Sequence, residues 1–248
     1  AAEFDPFLAA DPSRGRIWLL YSKNASPGND LLVRHLACLS CSWFGDTVVR
    51  ADGGNHWDAS LIVLNNGHLL ALESFEAYEG DPNGQIRSFR STDGGYSWSG
   101  PTVIFDEFGY PEIYPVALQK SDGTIHLMFR DKAHGNNSLQ IGQLWSSDSG
   151  YTWNGHSVFS NNQAQPRTFS FIGTQGGINL TVLASINGQV HHWTSWDNGL
   201  TWEGPYQTTN LSSSGDAEMS LGCRGPIFSL SWNYYFVLKR YDWYSSCQ

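Results

Sequence analysis

The chain has 248 residues, enough to bury a substantial core as one large domain or two small ones. Only 15% of residues are charged while 14% are aromatic, which excludes a disordered chain and suits all-β architecture. A formal net charge of −9 with no basic stripe argues for no nucleic-acid partner and no anionic membrane surface. No apolar run approaches the roughly 18–20 residues of a spanning helix.

In chain order, five segments read as a turn followed by an apolar strand: GRIWLLYS (15–22), NGHLLALES (66–74), DGTIHLMFR (122–130), GGINLTVLA (176–184) and GPIFSLSW (225–232). Before each lies another strand candidate, DPFLAAD, DASLIVL, EIYPVAL, RTFSFIG and EMSLGC. These begin at Asp5, Asp58, Glu112, Arg167 and Glu218, spaced by 53, 54, 55 and 51 residues. A second ladder runs in step: Trp43, Trp98, Trp153 and Trp202 are separated by 55, 55 and 49 residues. Units of this size with three or four short strands predict a five-bladed β-propeller as one domain over 1–248. The blades fall at approximately 4–52, 56–106, 110–160, 164–207 and 216–248. A β-sandwich needs no fixed period, and no segment carries a convincing helical one. The last blade is expected to have three strands, its tail pinned by Cys223 and Cys247.

Three of the Trp residues end a repeated motif: STDGGYSW (91–98), SSDSGYTW (146–153) and SWDNGLTW (195–202). Ser and Asp side chains hydrogen-bond backbone N–H groups in tight turns, Gly permits positive φ, and the Trp buries its ring between sheets. The motif resembles the Asp-box of sialidase-like propellers and bacterial neuraminidase repeats. That resemblance implies hairpin fasteners remote from the active face, so Asp93, Asp148 and Asp197 are expected to be structural. The first unit lacks the motif and carries CLSC (38–41) in its place.

Cys38 and Cys41 are therefore expected to form a local disulfide, since no thioredoxin-like context or zinc-ligand spacing accompanies them. No metal and no cofactor are expected. Sequons at Asn24, Asn136, Asn179 and Asn210, with the even cysteine count, suggest a secreted, extracellular glycoprotein. We expect a monomer.

In a propeller the inner strands begin around the mouth of the central channel, so Asp5, Asp58, Glu112, Arg167 and Glu218 would converge there. Crowded carboxylates shift one another's pKa values, and glycoside hydrolysis needs such a pair. Glu112 and Glu218 are the candidate acid/base pair, with Asp58 as the third candidate catalytic group. Asp5, His56, Trp57, Tyr110, Tyr114 and Arg167 would bind substrate, aromatic faces stacking on sugar C–H surfaces and Arg167 holding an anionic or hydroxyl-rich group. Loops 74–87 and 130–138 would wall the site with Glu76, Glu79, Arg87, Arg130, Asp131 and His134. The alternative to strand-initial catalysts is turn capping or a channel cation. The sialidase arginine triad and Arg-Ile-Pro element are not matched, so sialidase activity itself is not expected. The leading expectation is a secreted glycoside hydrolase acting on an oligo- or polysaccharide of plant or microbial origin. A propeller lectin would repeat one sugar site per blade, whereas these mouth residues differ. A lyase acting on a uronic-acid glycan would use His56, Tyr114 and Arg167.

Overall fold

The computed structural model describes residues 3–11, 13–38, 40–78, 81–107, 113–132, 139–158, 169–173, 180–186, 189–197, 199–212, 217–222, 225–232 and 235–240. Among them every regular element is a β-strand, and no helix is long and apolar enough to cross a membrane.

The strands form successive antiparallel sheets. The first contains β1 (Glu3–Asp11), β2 (Arg16–Asn24), β3 (Asn29–Leu36) and β4 (Thr47–Arg50). The second contains β5 (Asn55–Val63), β6 (Leu69–Glu76), β7 (Gln85–Ser91) and β8 (Ser99–Phe105). The third contains β9 (Ile113–Gln119), β10 (Ile125–Lys132), β11 (Leu139–Ser146) and β12 (Asn154–Val158). The fourth contains β13 (Phe169–Gly173), β14 (Leu180–Ile186), β15 (Gln189–Ser195) and β16 (Glu203–Ser212). The last described sheet contains β17 (Ala217–Gly222), β18 (Gly225–Trp232) and β19 (Tyr235–Arg240). Within each sheet the chain meanders through adjacent strands, and the first strands β1, β5, β9, β13 and β17 lie successively side by side.

The sequence reason is visible in β6. Side chains alternate across a strand, so Leu69 and Ala71 enter a core shared with Trp18, Leu20 and Val33 of the first sheet. Leu70 and Leu72 enter another, with Ile125, Leu127 and Phe129 of the third. A sheet sandwiched between neighbours is apolar on both faces, and the strand reads as a continuous apolar run.

The three repeated motifs close the turns β7–β8, β11–β12 and β15–β16. In the middle one, Asp148 Oδ1 accepts from Ser146 Oγ at 2.8 Å, Tyr151 N at 3.1 Å and Thr152 N at 2.9 Å, while Oδ2 accepts from Thr152 Oγ1 at 2.6 Å. Asp93 accepts the same four bonds, and Asp197 accepts from Ser195 Oγ, Thr201 N and Thr201 Oγ1. Such bonds favour the carboxylate, and the three groups sit at about 2, led by the bond from Ser97, Thr152 or Thr201. Gly94 and Gly95 make the reversal at φ 83° and 98°, a region where glycine carries no steric cost.

Each turn is also docked on the sheet before it. Trp18 Nε1 donates to Gly94 O at 2.9 Å, Arg90 Nη2 to Ser149 O at 2.5 Å, and Gln143 Nε2 to Gly199 O at 2.6 Å. Trp98, Trp153 and Trp202 pack half-buried against the cores between sheets. At the β3–β4 connection a Cys38–Cys41 disulfide stands where the others carry the hydrogen-bonded Asp. Cys223 and Cys247 lie outside the described residues.

Candidate functional site

Three inner strands share one irregularity. Register breaks between Phe4 and Phe7 in β1, between Trp57 and Ser60 in β5, and opposite Met128–Arg130 in β9. At each break a non-glycine residue takes left-handed backbone: Asp5 at φ 51°, Asp58 at 48° and Tyr114 at 59°. Such a residue costs on the order of 1 kcal/mol or more, and this kind of strain clusters at ligand sites. Bulges also re-aim side chains. Cross-sheet bonds fix the bulged strands: Ser22 Oγ donates to His56 O at 2.7 Å, and Ser74 Oγ accepts from Tyr114 N at 3.1 Å.

The third-sheet equivalent of Asp5 and Asp58 is therefore Tyr114; Glu112, two residues earlier, lies outside the described residues, as do Tyr110 and Arg167. Glu218 pairs with Ser229 within the β17–β18 ladder. Asp5, Asp58 and Tyr114 are half-buried, and the Arg130 guanidinium lies 5.5 Å from the Tyr114 ring centre. Trp57 packs against Phe4 with ring centres 5.3 Å apart. Of the sequons, Asn24 is exposed at the end of β2, Asn210 lies in β16, and Asn136 and Asn179 fall outside the described residues.

His56 is fully buried. Its Nδ1 lies 2.7 Å from Glu73 Oε2 and its Nε2 lies 3.0 Å from Asp52 Oδ1. Both ring nitrogens face carboxylate oxygens, an arrangement that an imidazolium satisfies by donating from each. Burial disfavours that cation, but the bonds and charges of Glu73 and Asp52 outweigh it and hold the His56 pKa above its ordinary value. Burial pushes the Glu73 carboxyl up. Substrate contact expected of His56 is thus not open to its ring here; Asp52 is the member of the triad that reaches solvent.

Asp52 lines an open cleft of about 480 Å³ between the first two sheets, with Arg50, Gly53, Gly54, Phe75, Ala77, Arg87, Pro101 and Val103 as the other walls. The Arg87 guanidinium carbon sits over Phe75, 3.3 Å from the ring centre. Gly54 allows the loop to approach, since a Cβ there would sit 2.3 Å from the Phe75 ring. Asp52 and Glu73 were not singled out by sequence reasoning. The available signal was a carboxylate in the apolar run of β6, because an acid buried there demands a partner. Asp5-Pro6 and Tyr114-Pro115, two blade lengths apart, would have marked the bulges. Among the described residues no cluster of His, Cys, Asp and Glu has the geometry of a metal site.

A family model described as a BNR repeat-like domain matches residues 67–216. No curated protein matches the chain. Among solved structures, a protein of unknown function from Dyadobacter fermentans superposes with TM-score 0.74 at 18% identity, covering 92% of this chain and 74% of its own. A Hadza microbial sialidase gives 0.76 at 16% identity, covering 92% and 53%, so this chain spans about half that protein's length. The alpha-L-arabinofuranosidase of Fusarium graminearum gives 0.71 at 12% identity, covering 93% and 74%. At these identities the likeness shows a common all-β propeller fold.

Proposed function

The chain belongs to the BNR repeat-like family, and from that premise we propose that it is a secreted, monomeric glycoside hydrolase acting on an oligo- or polysaccharide. The observation that carries this reading is the set of inner-strand bulges that aim unlike residues, Asp5, Asp58 and Tyr114, from one end of neighbouring sheets. Unlike mouths make one composite site, whereas a lectin would repeat the same one. The sialidase and the arabinofuranosidase named among the similar structures support carbohydrate as substrate. We take the domain as a single ring of five blades over 1–248, with the boundaries expected from the sequence.

Glu112 and Glu218 supply the acid/base pair. One carboxylic acid donates its proton to the leaving glycosidic oxygen, and the other, ionised, assists water or attacks the anomeric carbon. Asp58, held in its strained bulge, tunes their charge, while Trp57, Tyr110, Tyr114, Asp5 and Arg167 shape the sugar subsite. His56, being buried, supports Asp52 in the neighbouring cleft instead of touching the sugar. A panel of plant and microbial polysaccharides assayed for released sugar tests the reading. Turnover should fall at least about a hundredfold on Glu112→Gln, and a folded Glu112→Gln/Glu218→Gln protein that keeps its turnover defeats the assignment.

A further inference from the structure

The cleft beside the buried triad draws much of its wall from outer strands. Arg50 comes from β4, Arg87 from β7, and Pro101 and Val103 from β8, the third and fourth strands of their sheets. Its acidic groups are already engaged. Asp52 Oδ1 accepts from Gly54 N at 3.2 Å and faces His56, and Oδ2 accepts from Arg50 Nε at 2.9 Å. Glu73 is fully buried behind His56. On the donor side, Gln85 Oε1 occupies only Nε and Nη2 of Arg87. Both terminal amino groups of Arg50 and Nη1 of Arg87 make no hydrogen bond to a described residue. The edges left for a ligand are therefore cationic N–H groups, and close contact with Phe75 holds one of them in place. Pro101 and Val103 add an apolar wall, and the volume falls in the range of small-ligand sites, roughly 300–1,000 Å³.

We propose that this cleft is a subsite for the acidic group of a glycan, a uronate carboxylate or a sulfate ester, held by the Arg50 and Arg87 guanidinium groups. The planar fork of arginine matches an oxyanion with two parallel charge-assisted bonds, and the apolar wall faces the C–H surface of the same sugar. The assignment rests on the glycan reading above and narrows it to acidic chains.

Calorimetry on the full chain tests it with glucuronate and galacturonate oligosaccharides, their carboxyl-reduced counterparts, and a sulfated oligosaccharide. One acidic series should bind at least about tenfold more tightly than the reduced sugar, and the tighter series identifies the group. Arg87→Gln should weaken that binding about 10- to 100-fold, and Arg50→Gln by a smaller factor. Should Arg87→Gln fail to fold, Arg50→Gln, whose side chain is 38% exposed, carries the test. Equal affinity for acidic and reduced sugars, no binding of either acidic series at millimolar concentration, or affinities indifferent to the substituted arginines overturns the proposal. Arginine-dependent binding without hydrolysis of any glycan would sink the hydrolase reading and leave this one standing. Turnover of a neutral glycan with a silent cleft would do the reverse.

Discussion

Glu73→Gln perturbs the buried triad with almost no change of volume. The amide keeps an acceptor for His56 Nδ1, 2.7 Å away, but a neutral one; the difference between charged and neutral acceptors is about 1–2 kcal/mol. It also puts an amide N–H₂ where Glu73 Oε1 has no hydrogen-bond partner among the described residues. An unpaired buried donor adds about 1–3 kcal/mol, so the expected loss is about 2–4 kcal/mol. Urea unfolding followed by tryptophan fluorescence at pH 6 reads this as a lower midpoint at unchanged slope. His56→Gln, made alone and with Glu73→Gln, should give a coupling of about 1–3 kcal/mol. The pH dependence fixes the charge. The His56 pKa is raised in the fold, so its contribution is complete below the unfolded value, about 6.5. It is lost as pH rises through the folded value, at up to about 1.4 kcal/mol per pH unit. Glu73 is raised as well and contributes with the same sign from its ordinary value upward. Wild type should therefore weaken above neutrality, and His56→Gln should flatten that slope. A loss under about 1 kcal/mol for Glu73→Gln, with additive double-mutant energies, would refute a charged imidazolium between two carboxylates.

Asp148→Ala removes the acceptor of four hydrogen bonds in its turn. We expect about 2 kcal/mol lost in the unfolding midpoint with turnover per folded molecule unchanged. Acid should weaken the same turns together. The folded values of Asp93, Asp148 and Asp197 are lowered to about 2, so their contribution is present above the unfolded value and lost as pH falls toward 2, which thermal melts between pH 5 and 2 would follow. Leu70, 1% exposed in the core between the second and third sheets, should cost about 2–5 kcal/mol as Leu70→Ala; a smaller loss in urea would mean that the two sheets do not share that core.

The sheets are readable in the sequence wherever a local rule suffices. Two-faced apolar runs such as LLALES and the Ser-x-Asp-x-Gly turns depend only on neighbours in the chain, and both locate strands β5 to β8. The mouth is less readable, because a bulge belongs to a pair of strands. Counting a fixed spacing lands on Glu112, whereas pairing of Ile113 with Arg130 and Val116 with Met128 puts Tyr114 in the bulge. Likewise His56 and Glu73 lie 17 residues apart, and the break between Trp57 and Ser60 decides which faces of β5 and β6 meet. Burial converts an apparent substrate ligand, His56, into the support of Asp52.

The docking bonds of the turns have a direction. At the backbone carbonyls of the turns the earlier sheet supplies the donor, Trp18, Arg90 or Gln143, and at the third turn Trp202 Nε1 donates back to Gln143 Oε1 at 3.0 Å. Each sheet thus carries a socket that only its successor in the chain fills. Deleting sheets from the C-terminal side leaves an unused donor, whereas deleting from the N-terminal side strands a turn that has nothing to dock on.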